Sequence, residues 1–419
     1  MAFRTLYHAR AYYPVFAILF TDMGLTGDQF MLLNVVWALS ILLLEVPSGA
    51  LADTLGRKTL LIFGAATMVL EMSVLLVAPL GGMSWLFAFC LLNRFLSGLS
   101  EAAVSGADEA ITYESLPAEG RTDAWDRILV SAMRWRSAGF LVAMTIGGLL
   151  YDPSWWNGLV PERLHVAKEV AHRLPVVMVL LQGVACLVLA LRFEEQRIVS
   201  DMAPMDRCRE ATRTTLRTAH MALTTRAIAL VLLGGMLIDA VARNMATLNS
   251  VYYRLIGLPE WVYGLIGSSI AVCNWFVPGI AARINRHFST QGSLVLGGGV
   301  ALLALLLLLP TMVVPGLAAV MLLMMLMGYV NFTVGRYLHQ ESGSDQRATL
   351  LSVKGMSFNL SYGIYALIFA GMLKQAAGAD EPERLHQVIF WQAGGFVGVL
   401  GLYLLLLWLK RQKPDAANE

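Results

Sequence analysis

Charge is the scarcest ingredient of this sequence. Asp, Glu, Lys and Arg make up 14% of its 419 residues, where a soluble domain carries about a quarter. Hydrophobic residues supply 57%, so a water-soluble globule with a charged coat is excluded, and the chain reads as an integral membrane protein. Cysteine is nearly absent: Cys90, Cys186, Cys208 and Cys273 are scattered with no C-x-x-C spacing, which removes a disulfide framework and a cysteine metal site. No Walker glycine loop and no Ser/His/Asp signature occurs, so neither ATP hydrolysis nor covalent catalysis is supported; the reading is not an enzyme, with no cofactor and no metal. A net charge of +2 gives no reason to expect nucleic acid as a partner. The first apolar run lacks an A-x-A-like cleavage site and is read as a membrane helix rather than a signal peptide.

What the sequence has instead is long apolar runs. Segments able to cross a hydrocarbon core at roughly 20 residues each fall at 8–24, 28–51, 58–80, 84–113, 122–150, 174–193, 227–253, 260–283, 293–312, 315–340, 347–373 and 386–410. With the N-terminus placed inside, nineteen Lys and Arg fall on the inner side, Arg4 and Arg10 among them, against six on the outer side. The positive-inside rule then puts both termini in the cytoplasm. The longest inner polar stretch, 194–226, separates a six-helix half, 1–193, from a second, 227–419, and carries a basic amphipathic surface helix. Two junctions repeat between the halves: "EVPSGALAD" at 45–53 with "FVPGIAARI" at 276–284, and "ESLPAEGR" at 114–121 with "ESGSDQR" at 341–347. Their lags, 231 and 227, are nearly equal, which favours duplication.

The second and third runs are joined by "GALADTLGRKTLL". Twelve helices in two halves, with Gly49, Leu51, Asp53, Gly56, Arg57 and Lys58 at this junction and Arg94 and Gly98 in the fourth run, resemble the major facilitator superfamily. The resemblance implies an all-α membrane fold of two pseudo-symmetric six-helix bundles, alternating access, and one substrate site near the midplane. The glycine-proline motif that drug antiporters of the family carry in helix 5 is absent: "GFLVAMTIGG" at 139–148 has no proline. In the 49–58 motif, Gly49 is expected to let helix 2 approach a neighbour closely and Gly56 to permit a tight turn. Asp53 is expected to lie near the positive N-terminal end of helix 3. Arg57 and Lys58 are expected to pair with acids on neighbouring helix ends, making a gate on the cytoplasmic side; the alternative is a turn whose basic residues only fix topology.

Thirteen charges fall inside the spans: Asp22, Glu45, Glu71, Arg94, Glu101, Asp108, Glu109, Arg134 and Arg136 in the first half, and Asp239, Arg243, Arg336 and Lys354 in the second. Each costs about 2.5 to 3.5 kcal/mol if left ionised alone at the bilayer centre, so they must face water or one another. Arg94, Glu101 and Asp108 are spaced by seven, which predicts one polar stripe along helix 4. The resemblance places helix 4 on the central cavity, making Glu101, with Arg94, the leading proton-coupling candidate, followed by Asp22, Asp108 and Asp239. The alternative is a salt-bridge ladder to Arg134 and Arg136. Asp239 and Arg243, one turn apart, can neutralise each other. Lys354 and Arg336 have no acid at helical spacing and, with Arg243, are the candidates for an anionic group on a substrate; for Arg336 a gate or topology role is the alternative. His165 and His172, in the outer loop, are read as surface residues.

The expected function is secondary active transport, with export of a small amphipathic or charged organic compound in exchange for protons placed first. Proton-coupled uptake of an organic anion or metabolite is second. A non-transporting receptor on a transporter fold is the alternative of another class. Expected partners are the small-molecule substrate, protons and the lipid bilayer; the expected state is a monomer in a bacterial inner membrane.

Overall fold

Proline 14 decides how the chain enters its first bundle. It has no N–H to offer the carbonyl of Arg10, and its ring collides with that carbonyl in a continuous helix. In this computed structural model the expected first helix, 8–24, is therefore not continuous: α1 (Ala2–His8) ends before Arg10, a 3-10 turn spans Tyr13–Val15, and α2 (Phe16–Asp22) resumes. The structure describes residues 1–81, 83, 85–108, 110–111, 125–195, 203–341, 344–376 and 381–412. Glu109, Arg121 and the junction 114–121 lie outside them, as do 342–343 of the second junction.

The remaining helices are α3 (Gly27–Leu55), α4 (Arg57–Val77), α5 (Leu86–Val104), α6 (Trp125–Tyr151), the short α7 (Pro153–Asn157) and α8 (Lys168–Ala171), then α9 (Leu174–Leu191) and α10 (Pro204–Thr224). They continue with α11 (Arg226–Leu255), α12 (Glu260–His287), α13 (Thr290–Leu308), α14 (Val313–Glu341), α15 (Ser344–Gln375) and α16 (Glu381–Gln412). There are no strands among the described residues. Among the described residues the broken α1–α2, taken as one, and α6 occupy the expected spans 8–24 and 122–150, which brings the long helices to the twelve expected. Ten qualify on length and hydropathy alone; α1–α2 is cut short by its break, and α6 carries Asp126, Arg127, Arg134 and Arg136.

Local chemistry sets the ends. Thr26 and Gln29 form a reciprocal capping box at the start of α3, with Asp28 in the first turn. Gly56 separates α3 from α4 with φ 97° and ψ 148°, a region that is essentially glycine's alone and costs a residue with a Cβ about 1–3 kcal/mol. The expected fourth span, 84–113, is shorter than read: α5 stops at Val104 and Gly106 turns the chain with φ 76°.

The chain divides into two units. The first comprises Met1–Arg213 and Leu258–Ala271. Within it α5 packs on α3 and α4, α4 on α9, and α1 on α6 and α9. In lipid, apolar burial gives helices little reason to associate, so polar ties and close backbone approach matter more. Ser48 Oγ donates to Ala102 O at 2.6 Å and Ser100 Oγ to Gly64 O at 2.8 Å, joining α3 and α4 to α5. A Cβ at Gly147 of α6 would run into the carbonyl of Ala11 in the α1–α2 break. The first turns of α12 join this unit through Asp152 Oδ2, which accepts Trp261 N at 3.1 Å, and through a 2.8 Å hydroxyl pair, Thr145 with Ser268.

The second unit comprises Thr214–Gly257 and Val272–Glu419. Here α11 is the central helix, packed against α13, α14, α15 and α16. Tyrosines tie the layers: Tyr252 OH donates to Leu308 O at 3.0 Å and Tyr329 OH to Ser293 O at 2.9 Å. Leucines and other apolar side chains such as Leu43, Val77, Leu367 and Leu402 remain exposed on the helix surfaces, as expected where the surroundings are lipid.

Candidate functional site

The α1–α2 break places Arg10 where a helix would not. Its guanidinium lies inside the first unit, 2% exposed, and not on a loop where the positive-inside count had put it. Nη1 donates to both carboxylate oxygens of Glu71 on α4, at 3.0 and 3.2 Å, to Tyr12 OH at 3.1 Å and to Ser97 Oγ at 3.3 Å. Arg94 on α5 reaches the same Glu71 Oε1 with Nη2 at 3.2 Å, while its Nε donates to Asn93 Oδ1 at 3.1 Å. Asn93 in turn donates to the backbone carbonyl of Glu71 at 2.8 Å. Phe16 and Phe20 lie under the Arg94 guanidinium, at 5.1 and 5.6 Å from its central carbon, and Tyr7 lies under Arg10 at 5.4 Å.

Two buried arginines thus share one buried glutamate, which leaves an excess positive charge. Glu101, two turns beyond Arg94 on α5, supplies the fourth charge. Its Oε2 lies 3.9 Å from Arg10 Nη2, an atom with no hydrogen-bond partner among the described residues, and its side chain is 34% exposed where Glu71 is 0%. The two carboxylates therefore differ in kind. Glu71 is shielded and held by both guanidiniums at 3.0 and 3.2 Å; Glu101 is part-exposed and meets only one of them, at 3.9 Å. With Glu101 ionised the four charges cancel, and with Glu101 protonated the cluster is positive by one.

The single stripe expected along helix 4 is not formed. α5 ends before Asp108, which pairs with Arg4 at 3.3 Å, and Arg94 turns to Glu71. Arg134 and Arg136 are exposed. Asp22, at the end of α2, accepts from Tyr151 OH at 2.7 Å and lies 3.6 Å from His172 Nδ1. The His172 ring is stacked on Tyr151 with centroids 4.1 Å apart, so His172 is a packed residue and not the surface one expected.

Around the 49–58 turn two expectations are corrected. Gly49 is exposed and a Cβ there would meet nothing within 4 Å, so it serves no close helix approach. The N-terminal amides of α4 are taken not by Asp53 but by Glu195: Arg57 N and Lys58 N donate to its two carboxylate oxygens, the second at 3.2 Å. Asp53 bridges two arginines instead, Arg57 Nη1 at 2.9 Å on its own turn and Arg207 Nη2 at 3.3 Å on α10. The polar stretch 194–226, read as a linker with a basic amphipathic surface helix, therefore also supplies both a cap and a counter-ion to the motif.

In the second unit Asp239 and Arg243 on α11 pair at 2.8 Å, and Arg243 also donates to Asn359 Oδ1 at 2.8 Å. Lys354 on α15 donates to Asn331 Oδ1 and lies 5.8 Å from the Phe358 ring centre. Among the described residues Arg336 donates to the carbonyl of Asn285, at 3.4 Å, and lines an open groove with Asn331, Phe332, Gly335, His339 and Gln340. Among the described residues the hydrogen-bond partners of Lys354 and Arg336 are neutral oxygens. No group of three or more His, Cys, Asp and Glu suited to a metal occurs among the described residues.

Residues 3–343 match the family described as the Major Facilitator Superfamily. The quinolone resistance protein NorA of Staphylococcus aureus is 26% identical over 141 residues, 34% of this chain and 34% of that protein. The chain thus matches about a third of the length of this curated relative. Among solved structures, the nucleoside transporter NupG aligns with a TM-score of 0.76 at 12% identity, covering 97% of each chain. A D-xylose-proton symporter aligns at 0.65 and 13% identity, over 97% of this chain and 95% of the other. At such identities the likeness is one of fold.

Proposed function

The chain belongs to the Major Facilitator Superfamily, a transporter and not an enzyme, and from that premise we propose that it exports a small amphipathic or charged organic compound in exchange for protons. One observation carries the proposal: the Arg10–Glu71–Arg94 triad with Glu101 at its edge. A carboxylate that alone decides whether a buried cluster is neutral or positive is a site where a proton and a cationic or polar substrate group compete. Competition for one carboxylate is the simplest coupling of two opposed fluxes. Export is favoured by the resistance in the name of the partial relative, since removal of a compound from the cell gives resistance.

The halves 1–193 and 227–419 are taken as the moving bodies, with both termini and the 194–226 segment on the cytoplasmic side of a bacterial inner membrane, and the monomer as the working unit. The Asp53 pairs with Arg57 and Arg207, and the Glu195 cap, form a cytoplasmic gate in this reading. Lys354, with Arg336 and Arg243, supports a second reading, uptake of an organic anion with protons, because two cations with neutral partners favour an acidic ligand. Flux of labelled compounds into and out of proteoliposomes under an imposed pH gradient tests both. Antiport appears as movement of the compound against the proton gradient and uptake as movement with it. Binding with no flux of any compound would replace both readings by a receptor.

A further inference from the structure

Helix α10 carries two surfaces, and the proposed gate uses only one. Thr215, Thr218 and Ala222 are buried and Arg207, on the neighbouring side, holds Asp53. On the other side Met205, Leu216 and Leu223 are 78%, 64% and 70% exposed. At about 100° per residue these three fall within roughly 20° of one another. Exposed Arg209, Arg213 and His220 flank that line on one edge; at the same angle per residue exposed Asp206 falls just beyond Arg213, and Glu210, which pairs with Arg207 at 3.4 Å, lies further round. The strip is thus apolar in the middle and bordered on one edge by two arginines and a histidine, with the helix's two acids beyond that edge.

We propose that this strip docks on the anionic headgroups of the inner leaflet, with Met205, Leu216 and Leu223 dipping into the boundary between headgroups and acyl chains. Two observations choose a lipid surface over another occupant. A basic edge along an apolar line complements an anionic interface. In addition, α10 ends at Thr224 and the membrane-spanning α11 begins at Arg226, so the C-terminal end of α10 is tethered at the bilayer surface. Because Arg207 projects from a different side of the same helix, one docked helix keeps its grip on Asp53. The inference rests on the cytoplasmic placement of 194–226 given above.

The test uses the full chain in liposomes, with Cys90, Cys186, Cys208 and Cys273 replaced by alanine and a spin label attached through Leu216→Cys. Accessibility to oxygen and to a water-soluble nickel chelate is compared between phosphatidylcholine vesicles and vesicles containing phosphatidylglycerol. In the anionic vesicles the label should gain oxygen access and lose nickel access, while a control label through Glu210→Cys stays open to nickel in both. Arg209→Gln and Arg213→Gln should each lower the docked-to-undocked ratio about fivefold. Nickel access at 216 that is equal in both vesicles, or protection that survives loss of both arginines, would overturn the proposal; a soluble partner would then be the occupant to seek. No substrate or gradient is present, so the outcome is independent of whether the chain exports, imports or only binds its ligand.

Discussion

Replacing Glu71 by glutamine probes the cluster at its centre. The change keeps shape and removes the one charge that two guanidiniums share. Glu71 is 0% exposed, and Arg10 and Arg94 are 2% and 4% exposed, with contacts of 3.0 and 3.2 Å. Removing one partner of a buried ion pair costs about 3–5 kcal/mol because the other is left uncompensated. With two arginines stranded, the upper part of that range is expected, a third or more of a typical total stability of about 5–15 kcal/mol. The neutral amide can still accept a hydrogen bond, so the loss is electrostatic rather than steric. Thermal and denaturant unfolding of the purified protein in detergent, followed by tryptophan fluorescence, gives the measurement. The double variant Glu71→Gln with Arg94→Gln should recover about 0.5–3 kcal/mol as coupling between the sites. Glu101→Gln should cost less than about 1 kcal/mol, since its contact with Arg10 is 3.9 Å long and its side chain is 34% exposed. Equal stability of the Glu71 variant and the parent would refute the division into a fixed and an exchanging carboxylate.

Three further outcomes follow from the same geometry. Asp53→Asn together with Glu195→Gln should leave insertion and folding intact but raise labelling of an introduced Leu55→Cys by a membrane-impermeant maleimide, in a background free of native cysteines; unchanged labelling with normal transport would reduce the turn to a topology signal. Lys354→Ala should weaken binding of an acidic substrate by about 1.5–3 kcal/mol, roughly ten- to a hundredfold, measured by isothermal titration; the same affinity in this variant and in Arg336→Ala would remove the anion site. Gly147→Val should destabilise by about 1–3 kcal/mol or more in the same unfolding assay, because its Cβ meets the Ala11 carbonyl; a neutral result would mean that the α1–α2 break adjusts freely.

Much of the architecture was legible because lipid imposes simple rules. Length and hydropathy mark spans without knowledge of packing, and the tight turn at Gly56 could be read from the 49–58 motif. The candidate site was half legible. Glu101 and Arg94 stood out as charges at helical spacing, and Asp239 with Arg243 were one turn apart on α11. What could not be read was which charge meets which across helices. Arg10 looked like a loop residue because hydropathy counting is blind to a proline four positions later; Pro14 was the available signal. Glu71 was visible as a lone acid in mid-span, but its claim on Arg94, 23 residues away, depends on how α4 packs against α5. Glu195 lies 138 residues from Arg57, and nothing in its local sequence distinguishes it from any linker acid. The stripe ending at Asp108 failed because spacing by seven assumes a helix that Gly106 terminates.

In the proposed mechanism Glu101 exchanges the proton while Glu71 holds the arginines. Glu101→Gln in proteoliposomes tests it most directly: labelled substrate is followed under an imposed pH gradient and, separately, as equilibrium exchange with no gradient. Gradient-driven accumulation should be lost, with binding and equilibrium exchange retained. Concentrative transport at the parent level in the glutamine variant would contradict it.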